Sequence, residues 1–229
     1  EAAGGDIIEK TGKNSKNVVV VPNTVKIGDF TSHPVNKEIV RRMDGFYNIV
    51  YIGDTSIRRG TDTAIRAMAL IKDNIPNARL WLVGKSSADR ELKALCGSIG
   101  VTESVVMEGW QLPEFLPSYL TGASIALSPL KKNRHHDTTY ANKLFQYMIL
   151  GIPVVVSDSR AQADLVELEN CGLVHQADDP KSLAEKILFL HGHGDVASAM
   201  GERGKKAVFS KWNWDETVKH LINLYDRNF

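Results

Sequence analysis

Short runs of β-branched and aliphatic residues alternate with amphipathic stretches along most of this chain, and this alternation constrains its fold more than any other feature. Seven runs are predicted strands: residues 17–21, 48–52, 79–83, 104–107, 124–127, 153–156 and 173–175. Several are continuously apolar, which is typical of strands buried on both faces. Repeated strand–helix–strand cycles predict an α/β fold with a doubly wound parallel sheet, Rossmann-like, and right-handed crossovers.

The amphipathic stretches between these strands are predicted helices: residues 61–72, 88–98, 114–120, 140–150, 161–168 and 181–190. Near the end of the sequence, Asn213 and Glu216 have the spacing of a capping box, with Asn as N-cap and Glu at the third helical position. They predict a final helix over residues 214–229. Residues 1–45 hold one apolar strand candidate and then a polar stretch, which is typical of a connector rather than a second core.

Composition excludes several classes of protein. Lys and Arg number 28 against 27 Asp and Glu, so the net charge of +1 gives no global attraction to nucleic acid. No apolar run approaches the roughly 20 residues of a membrane span. Two cysteines without a CxxC pair exclude a disulfide scaffold and a cysteine-based zinc site, and suit the cytosol. The first residues have neither an initiator Met nor signal-peptide features, and we expect a fragment of a longer chain.

The first candidate site is the loop at residues 53–61, which follows a predicted strand and opens a predicted helix. The free N–H groups and positive dipole of a helix N-terminus suit phosphate. Arg58 and Arg59 add bidentate phosphate donors beside it. The alternative is an ordinary helix start with two solvated arginines.

The second candidate site is the loop at residues 137–143, which also joins a strand to a helix and carries hydroxyls and Lys143. Both loops lie at the carboxyl ends of their strands, where open α/β sheets bind ligands. Together they predict a site for a diphosphate; the alternative is two unrelated helix caps.

Two further segments are open to more than one interpretation. Trp110, at residues 109–113, follows a predicted strand and either edges a base pocket or is buried in its loop. The adjacent His135 and His136, at residues 134–137, lie in a solvated loop, contact phosphate or ligate a metal; a metal would need further ligands, and the other histidines have no obvious spacing to this pair.

Six motifs in order resemble the donor-binding C-terminal half of the retaining GT-B glycosyltransferases of group 1. The longest is Asn142-Lys143-Leu144-Phe145-Gln146-Tyr147-Met148 followed by Gly151-Ile152-Pro153-Val154-Val155. The other five are at residues 21–25, 51–53 with 59–62, 81–84, 108–109 and 172–174 with 179–184. Each motif is weak alone, but six at the expected spacing are specific, and the resemblance runs from about residue 18 to the end.

The resemblance implies that residues 46–212 are a nucleotide-sugar-binding domain. Residues 1–45 would then be the end of an acceptor-binding domain and a linker, and 213–229 a helix returning toward that domain, most of which is missing here. The implied activity is glycosyl (for example hexosyl) transfer from a UDP-sugar or GDP-sugar to a glycan or lipid-linked sugar, as in polysaccharide biosynthesis, with retention and with no metal or cofactor. The protein would be cytoplasmic or peripheral to the inner face of the membrane, and this fragment alone would be inactive.

The resemblance also assigns roles to residues. Arg59 and Lys143 would be catalytic, stabilising the charge that grows on the leaving phosphate together with helix N–H groups at residues 139–141. The expected donor-binding residues are Gly53, Arg58, Gly60, Lys85, Gly109, Trp110, Gln111, Leu112, Thr138, Thr139, Tyr140, Ala141, Asn142 and Gln146.

The sequence departs from the family pattern at five positions: Thr24 replaces the glycine of the first motif, and the other four changes fall at the predicted site. The two family glutamates fall on Thr138 and Gln146, a frequent basic residue falls on Asp54, and the family's lysine falls on Arg59. These changes keep two other functions open: a sugar-nucleotide epimerase-like enzyme and a non-catalytic nucleotide-sugar-binding domain.

Overall fold

The computed structural model describes residues 8–12 and 18–228 and shows an α/β fold with one parallel sheet of six strands. The strands are Tyr47–Ile52 (β1), Ala78–Val83 (β2), Val105–Gly109 (β3), Ile125–Ser128 (β4), Val154–Ser157 (β5) and Gly172–His175 (β6). Their spatial order is β3-β2-β1-β4-β5-β6, which is the order of a Rossmann-like doubly wound sheet. The predicted fold class is therefore confirmed.

Helices cover both faces of the sheet. They are Ile27–Thr31 (α1), Lys37–Met43 (α2), Thr61–Ile71 (α3), Asp89–Ser98 (α4), Leu116–Thr121 (α5), Arg134–Thr138 (α6), Asn142–Ile149 (α7), Arg160–Glu169 (α8), Pro180–Gly192 (α9), Gly194–Ser210 (α10) and Trp214–Asn228 (α11). Short 3₁₀ turns form at Ile57–Arg59, Thr102–Ser104 and Pro113–Phe115.

The strands divide their side chains between two cores, and β1 shows how. Ile49 and Tyr51 pack on one face with α3, α4 and α9, whereas Val50 and Ile52 pack on the other with α2, α5, α7 and α8. All four side chains are buried. Because successive strand residues point to opposite faces, two covered faces require the continuously apolar sequence seen here.

The strand predicted at residues 17–21 was wrong. Residue 17 lies outside the described residues, and residues 18–26 form no strand. Instead this segment lies against the last helix: the Thr24 and Thr217 hydroxyls are 2.8 Å apart, and the Trp214 N–H donates to the Val25 carbonyl. The apolar run is half-buried there without a partner strand.

Four of these helices were not predicted from the sequence, and one of them, α6, forms in a segment expected to be a loop. Helices α1 and α2 lie within the predicted connector, and α2 contributes Ile39 and Met43 to the core. Helix α10 contains glycines that weaken a helical pattern. One of them, Gly201, allows a close approach, because a Cβ there would lie 1.9 Å from the Gly151 carbonyl oxygen. Gly201 and Gly204 therefore allow close packing, since a Cβ on Gly204 would lie 3.1 Å from the Cβ of Cys171.

The final helix begins as its capping signal predicts. The Glu216 N–H donates to Oδ1 of Asn213 at 3.1 Å, and the helix runs over Trp214–Asn228. No helix among the described residues is both long and apolar enough to cross a membrane.

Candidate functional site

A cluster of charged side chains lies at the carboxyl end of β1, in the centre of the sheet. The chain leaves β1 through Gly53, at a φ of +114°, and then forms the 3₁₀ turn at Ile57–Arg59. Gly60 ends that turn and caps α3 with a φ of +74°. A Cβ on Gly60 would lie 1.7 Å from the Pro129 carbonyl oxygen, so only glycine fits between this turn and the end of β4.

Lys143 approaches the same point from α7. Its Nζ lies 3.5 Å from the centre of the Tyr51 ring, and 3.4 Å from where a Cβ on Gly53 would stand. Among the described residues, Lys143 has no hydrogen-bond or carboxylate partner. Burial lowers the pKa of Lys143 well below its ordinary value, and the charge of Arg59 lowers it further, while Asp54 opposes the shift. The site thus holds an amine with no carboxylate partner in the described part of the chain, and a bound anion would favour its charged form.

The two arginines share one carboxylate. Asp54 Oδ2 lies 3.3 Å from Nη2 of Arg58 and 3.5 Å from Nε of Arg59. Ser56 donates to the same carboxylate through its N–H at 3.0 Å and its hydroxyl at 2.9 Å. Burial opposes ionisation of Asp54, yet these hydrogen bonds and the two arginines outweigh it and hold the pKa of Asp54 below its ordinary value.

The exposure of the arginines differs. The Arg58 side chain is 57% exposed, whereas that of Arg59 is 23% exposed and lies beside His136. Arg59 is therefore better placed than Arg58 to present a desolvated guanidinium to a ligand. A partly buried guanidinium interacts more strongly with an anion than an exposed one, because water screens it less.

The structure brings together Gly53, Arg58, Arg59, Gly60 and Lys143, all expected from the sequence. It adds Tyr51, Asp54 and His136. The sequence marks Asp54 only as a departure from the family pattern and leaves the role of His136 open. Tyr51 was missed, because its buried strand position looks like any other core position.

The prediction that residues 139–141 supply free helix amides for phosphate is wrong, because the helix begins after them. Helix α7 begins at Asn142 with Ala141 as its N-cap, so Thr139 and Tyr140 precede the helix. The free amides of its first turn belong to Asn142 and Lys143. Tyr140 packs edge-on against Phe145 and Trp212 and is half-buried in that aromatic group.

The two positions of the family glutamates lie on different elements. Thr138 ends α6, and its hydroxyl donates to the Arg134 carbonyl oxygen at 2.9 Å. Gln146 lies one turn after Lys143 in α7, is half-buried, and has no hydrogen-bond partner among the described residues.

The segment predicted to edge a base pocket lies at the end of β3, two strands from β1. Trp110 is 59% exposed and Leu112 is 42% exposed, so this tryptophan is not a buried loop residue. Gln111 donates to the Glu108 carbonyl oxygen at 3.0 Å, and Gly109 has a φ of +69°. Lys85, just beyond the end of β2, is exposed.

The adjacent histidines lie on α6 rather than in a loop. His135 is exposed and His136 is buried, because their side chains leave the helix in different directions. Within residues 8–12 and 18–228, no group of three or more His, Cys, Asp or Glu side chains is arranged to hold a metal ion.

Comparison with known proteins places this geometry in a family. The model of the family "Glycosyl transferases group 1" matches residues 47–193, which include β1 through α9. The chain belongs to the group 1 glycosyltransferases, as the sequence motifs predict.

Individual relatives agree with this assignment. The chain is 26% identical over 169 residues to a GDP-mannose-dependent alpha-(1-6)-phosphatidylinositol monomannoside mannosyltransferase of Mycobacterium tuberculosis, covering 73% of this chain and 44% of the relative. It is 25% identical over 233 residues to the D-inositol 3-phosphate glycosyltransferase of Acidothermus cellulolyticus, covering 96% and 50%. The chain spans about half the length of the curated relatives it matches.

Solved structures show the same fold. Anabaena HepE, crystallised with UDP, superimposes with a TM-score of 0.81 at 14% identity, over 99% of this chain and 62% of HepE. The parallel sheet described above is therefore the Rossmann-like fold of GT-B glycosyltransferases.

Proposed function

We propose that this chain is the donor-binding part of a glycosyltransferase and that it binds the diphosphate of a nucleotide sugar between Arg59 and Lys143. The observation that carries the proposal is Lys143, a half-buried lysine at the carboxyl edge of the sheet with no carboxylate partner among the described residues. Leaving a buried charge unpaired costs free energy, and a bound anion removes that cost. A diphosphate carries enough negative charge to pair with both side chains, and Arg59 is near enough to Lys143 for its charge to lower the pKa of that lysine.

The chemistry of glycosyl transfer requires this charge. The bond between the anomeric carbon and the diphosphate oxygen breaks, and negative charge grows on the departing phosphate. Cations fixed beside that oxygen stabilise the transition state more than the ground state. Thr138 and Gln146 carry no charge, so in our proposal catalysis rests on the phosphate side of the reaction, with no metal or cofactor.

The donor is proposed to be a UDP-sugar or a GDP-sugar. The mannosyltransferase relative is named as GDP-mannose-dependent, and the HepE structure contains UDP. The exposed Trp110 and Leu112, at the same edge of the sheet, offer an apolar surface for the base or sugar. The acceptor, a glycan or lipid-linked sugar, would bind an adjoining domain, and transfer with retention would need both parts.

Isothermal titration of the chain with UDP, GDP, ADP and their sugar conjugates tests the binding site. We expect saturable binding to one base, weakened at least about tenfold in Arg59→Ala, because a hydrogen bond to a charged group contributes about 1.5–3 kcal/mol. The matched control is Arg66→Ala, an exposed arginine on α3, which should bind as the native chain does. Equal binding by native and Arg59→Ala chains would remove Arg59 from the site.

Product analysis on a protein that contains both domains separates the proposed reaction from its alternatives. A new glycoside from nucleotide sugar and acceptor supports transfer. A free epimerised nucleotide sugar would instead identify an epimerase-like enzyme, and binding without turnover of any donor would identify a non-catalytic domain.

A further inference from the structure

Arg59 is held on two sides before any ligand arrives. Its Nε faces Asp54, and its Nη1 lies 3.5 Å from Nε2 of His136. Among the described residues Nη2 has no partner, so one end of the guanidinium stays available for an anion. His136 is 2% exposed. It lies in α6, 77 residues after Arg59 in the sequence, and the fold brings the two side chains together.

The hydrogen bond made by Nδ1 of His136 determines which nitrogen of the ring carries the proton. Nδ1 lies 2.6 Å from the Lys131 carbonyl oxygen, which only accepts, so Nδ1 carries the proton. The Asn133 side-chain amide donates to the same carbonyl at 3.2 Å, which brings its nitrogen within 2.9 Å of Nδ1. In the neutral ring, Nε2 then presents a lone pair to Arg59.

The neutral ring also suits the surroundings. Burial lowers the pKa of His136 below its ordinary value; the hydrogen bond to the Lys131 carbonyl opposes this, and Arg59 adds to it. A neutral acceptor orients a guanidinium without cancelling its charge, whereas a carboxylate in the same place would compete with a bound phosphate.

The backbone fixes this arrangement as one unit. The Lys131 N–H donates to the Arg58 carbonyl oxygen at 3.2 Å, while the Lys131 carbonyl accepts from His136. The side chain of Asn133 accepts from the His136 N–H at 3.0 Å and so caps α6. One loop after β4 therefore positions both the arginine turn and the histidine that faces it.

We propose that His136 is a positioning residue for diphosphate binding: its Nε2 lone pair holds the Arg59 guanidinium with the free end toward the phosphates. This inference rests on the proposed function. In this role His136 neither contacts the donor nor transfers a proton. His136 acts on the donor through Arg59 alone.

Two amide substitutions separate positioning from packing. In His136→Gln, the side-chain oxygen reaches the place of Nε2 and accepts from Arg59. In His136→Asn, the shorter amide replaces the Nδ1 donor to Lys131 and leaves Arg59 without its acceptor. Both keep a polar group in the buried position, and His135→Ala, at the exposed neighbour, is the matched control.

The experiment is titration of native and variant chains with UDP and with GDP. We expect His136→Asn to weaken binding of the preferred nucleotide about five- to tenfold, and His136→Gln and His135→Ala to stay within about twofold of the native chain. In the Arg59→Ala background, His136→Asn should not weaken nucleotide binding further. The effects of two substitutions are not additive when one residue acts through the other.

The outcomes distinguish this inference from the proposed function. Binding of neither nucleotide by the native chain overturns the proposed function and this inference with it. Native binding that His136→Asn leaves unchanged, or that it weakens equally in the Arg59→Ala background, overturns the positioning role alone.

A spectroscopic readout needs no ligand. Long-range ¹H–¹⁵N spectra of the native chain should show His136 protonated on Nδ1 and unprotonated on Nε2 at neutral pH. A ring protonated on Nε2 would contradict the inference, because that nitrogen could not then accept from Arg59.

Discussion

Lys131 and Lys143 are two partly buried lysines near the carboxyl edge of the same sheet, and their surroundings are opposite. The Nζ of Lys131 lies 3.0 Å from Asp62 and 2.7 Å from Asp178. The Nζ of Lys143 lies over the ring of Tyr51, and no carboxylate among the described residues pairs with it. Burial disfavours the charged form of both. At Lys131 the hydrogen bonds that its ammonium donates to the two carboxylates outweigh burial and raise its pKa, whereas at Lys143 burial prevails and lowers the pKa.

Under the proposed function, this difference separates a structural cation, Lys131, from a binding cation, Lys143. Lys131 joins α3 to the loop before α9, and its charge is already compensated. Lys143 has no such carboxylate among the residues that the structure describes, and in our proposal a bound anion supplies the opposite charge. Both lysines are half-buried, so it is the carboxylate partners that distinguish them.

Removing the binding cation should have the largest effect on ligand affinity. We expect Lys143→Met to weaken nucleoside diphosphate binding about 10- to 100-fold, from the loss of a charged hydrogen bond of about 1.5–3 kcal/mol. Its melting temperature should equal or exceed that of the native chain, because a buried charge without a partner is removed. Titration and thermal melts of the same sample measure both, and a strongly lowered melting temperature would show that Lys143 is structural.

Removing the structural cation should do the reverse. Lys131→Met leaves Asp62 and Asp178 without their partner, and we expect a loss of about 1–2 kcal/mol in the free energy of unfolding, between the values for exposed and buried pairs. Nucleotide affinity should change by at most about threefold. Lys132→Met is the matched control, since Lys132 makes an exposed pair with Asp158. If denaturant melts show that Lys131→Met loses no more free energy of unfolding than Lys132→Met, the structural role of Lys131 is contradicted.

The lowered pKa of Lys143 predicts a pH dependence of binding. Only the protonated lysine attracts a diphosphate, so affinity should fall as pH rises through the lowered pKa, and binding should raise that pKa and take up protons. Titration in buffers of different ionisation enthalpy should therefore give different apparent enthalpies. In Lys143→Met this buffer dependence should shrink. A buffer dependence that survives the substitution would assign the proton to another group.

Asp54 should have the smallest effect and the opposite sign. Its charge opposes an incoming diphosphate, while an amide would still accept from the Ser56 N–H. We expect Asp54→Asn to bind nucleoside diphosphate about two- to fivefold more tightly at low salt, with the gain reduced at high salt by screening. Weaker binding at every salt concentration would mean that Asp54 serves to hold the arginines rather than to temper their charge.

The sequence predicted the sheet well because each strand carries its own local signal. The sequence-based prediction failed where contacts with other segments, rather than local residues, determine the structure. The Val18–Val21 run looks like a strand but has no strand beside it, and α10 looks broken by glycines that instead permit close packing against Gly151. Periodicity carries no information on either point.

For the candidate site, the sequence predicted which residues lie at the edge of the sheet but not which of them contact each other. Arg59 and Lys143 stand at the loop–helix junctions where anions bind, so their types and positions were visible in the sequence. That one carboxylate serves both arginines, and that His136 faces Arg59 from another element, depends on contacts made only by the folded chain. Sequence pattern places elements on an edge but does not choose which side chains meet there.

A crystal structure of the chain with its preferred nucleoside diphosphate tests the central claim most directly. We predict phosphate oxygens within hydrogen-bond distance of both the Arg59 guanidinium and the Lys143 Nζ, at the carboxyl end of β1. A diphosphate bound elsewhere, for example against Lys132 and Arg160, with Lys143 still facing only the Tyr51 ring, would contradict it.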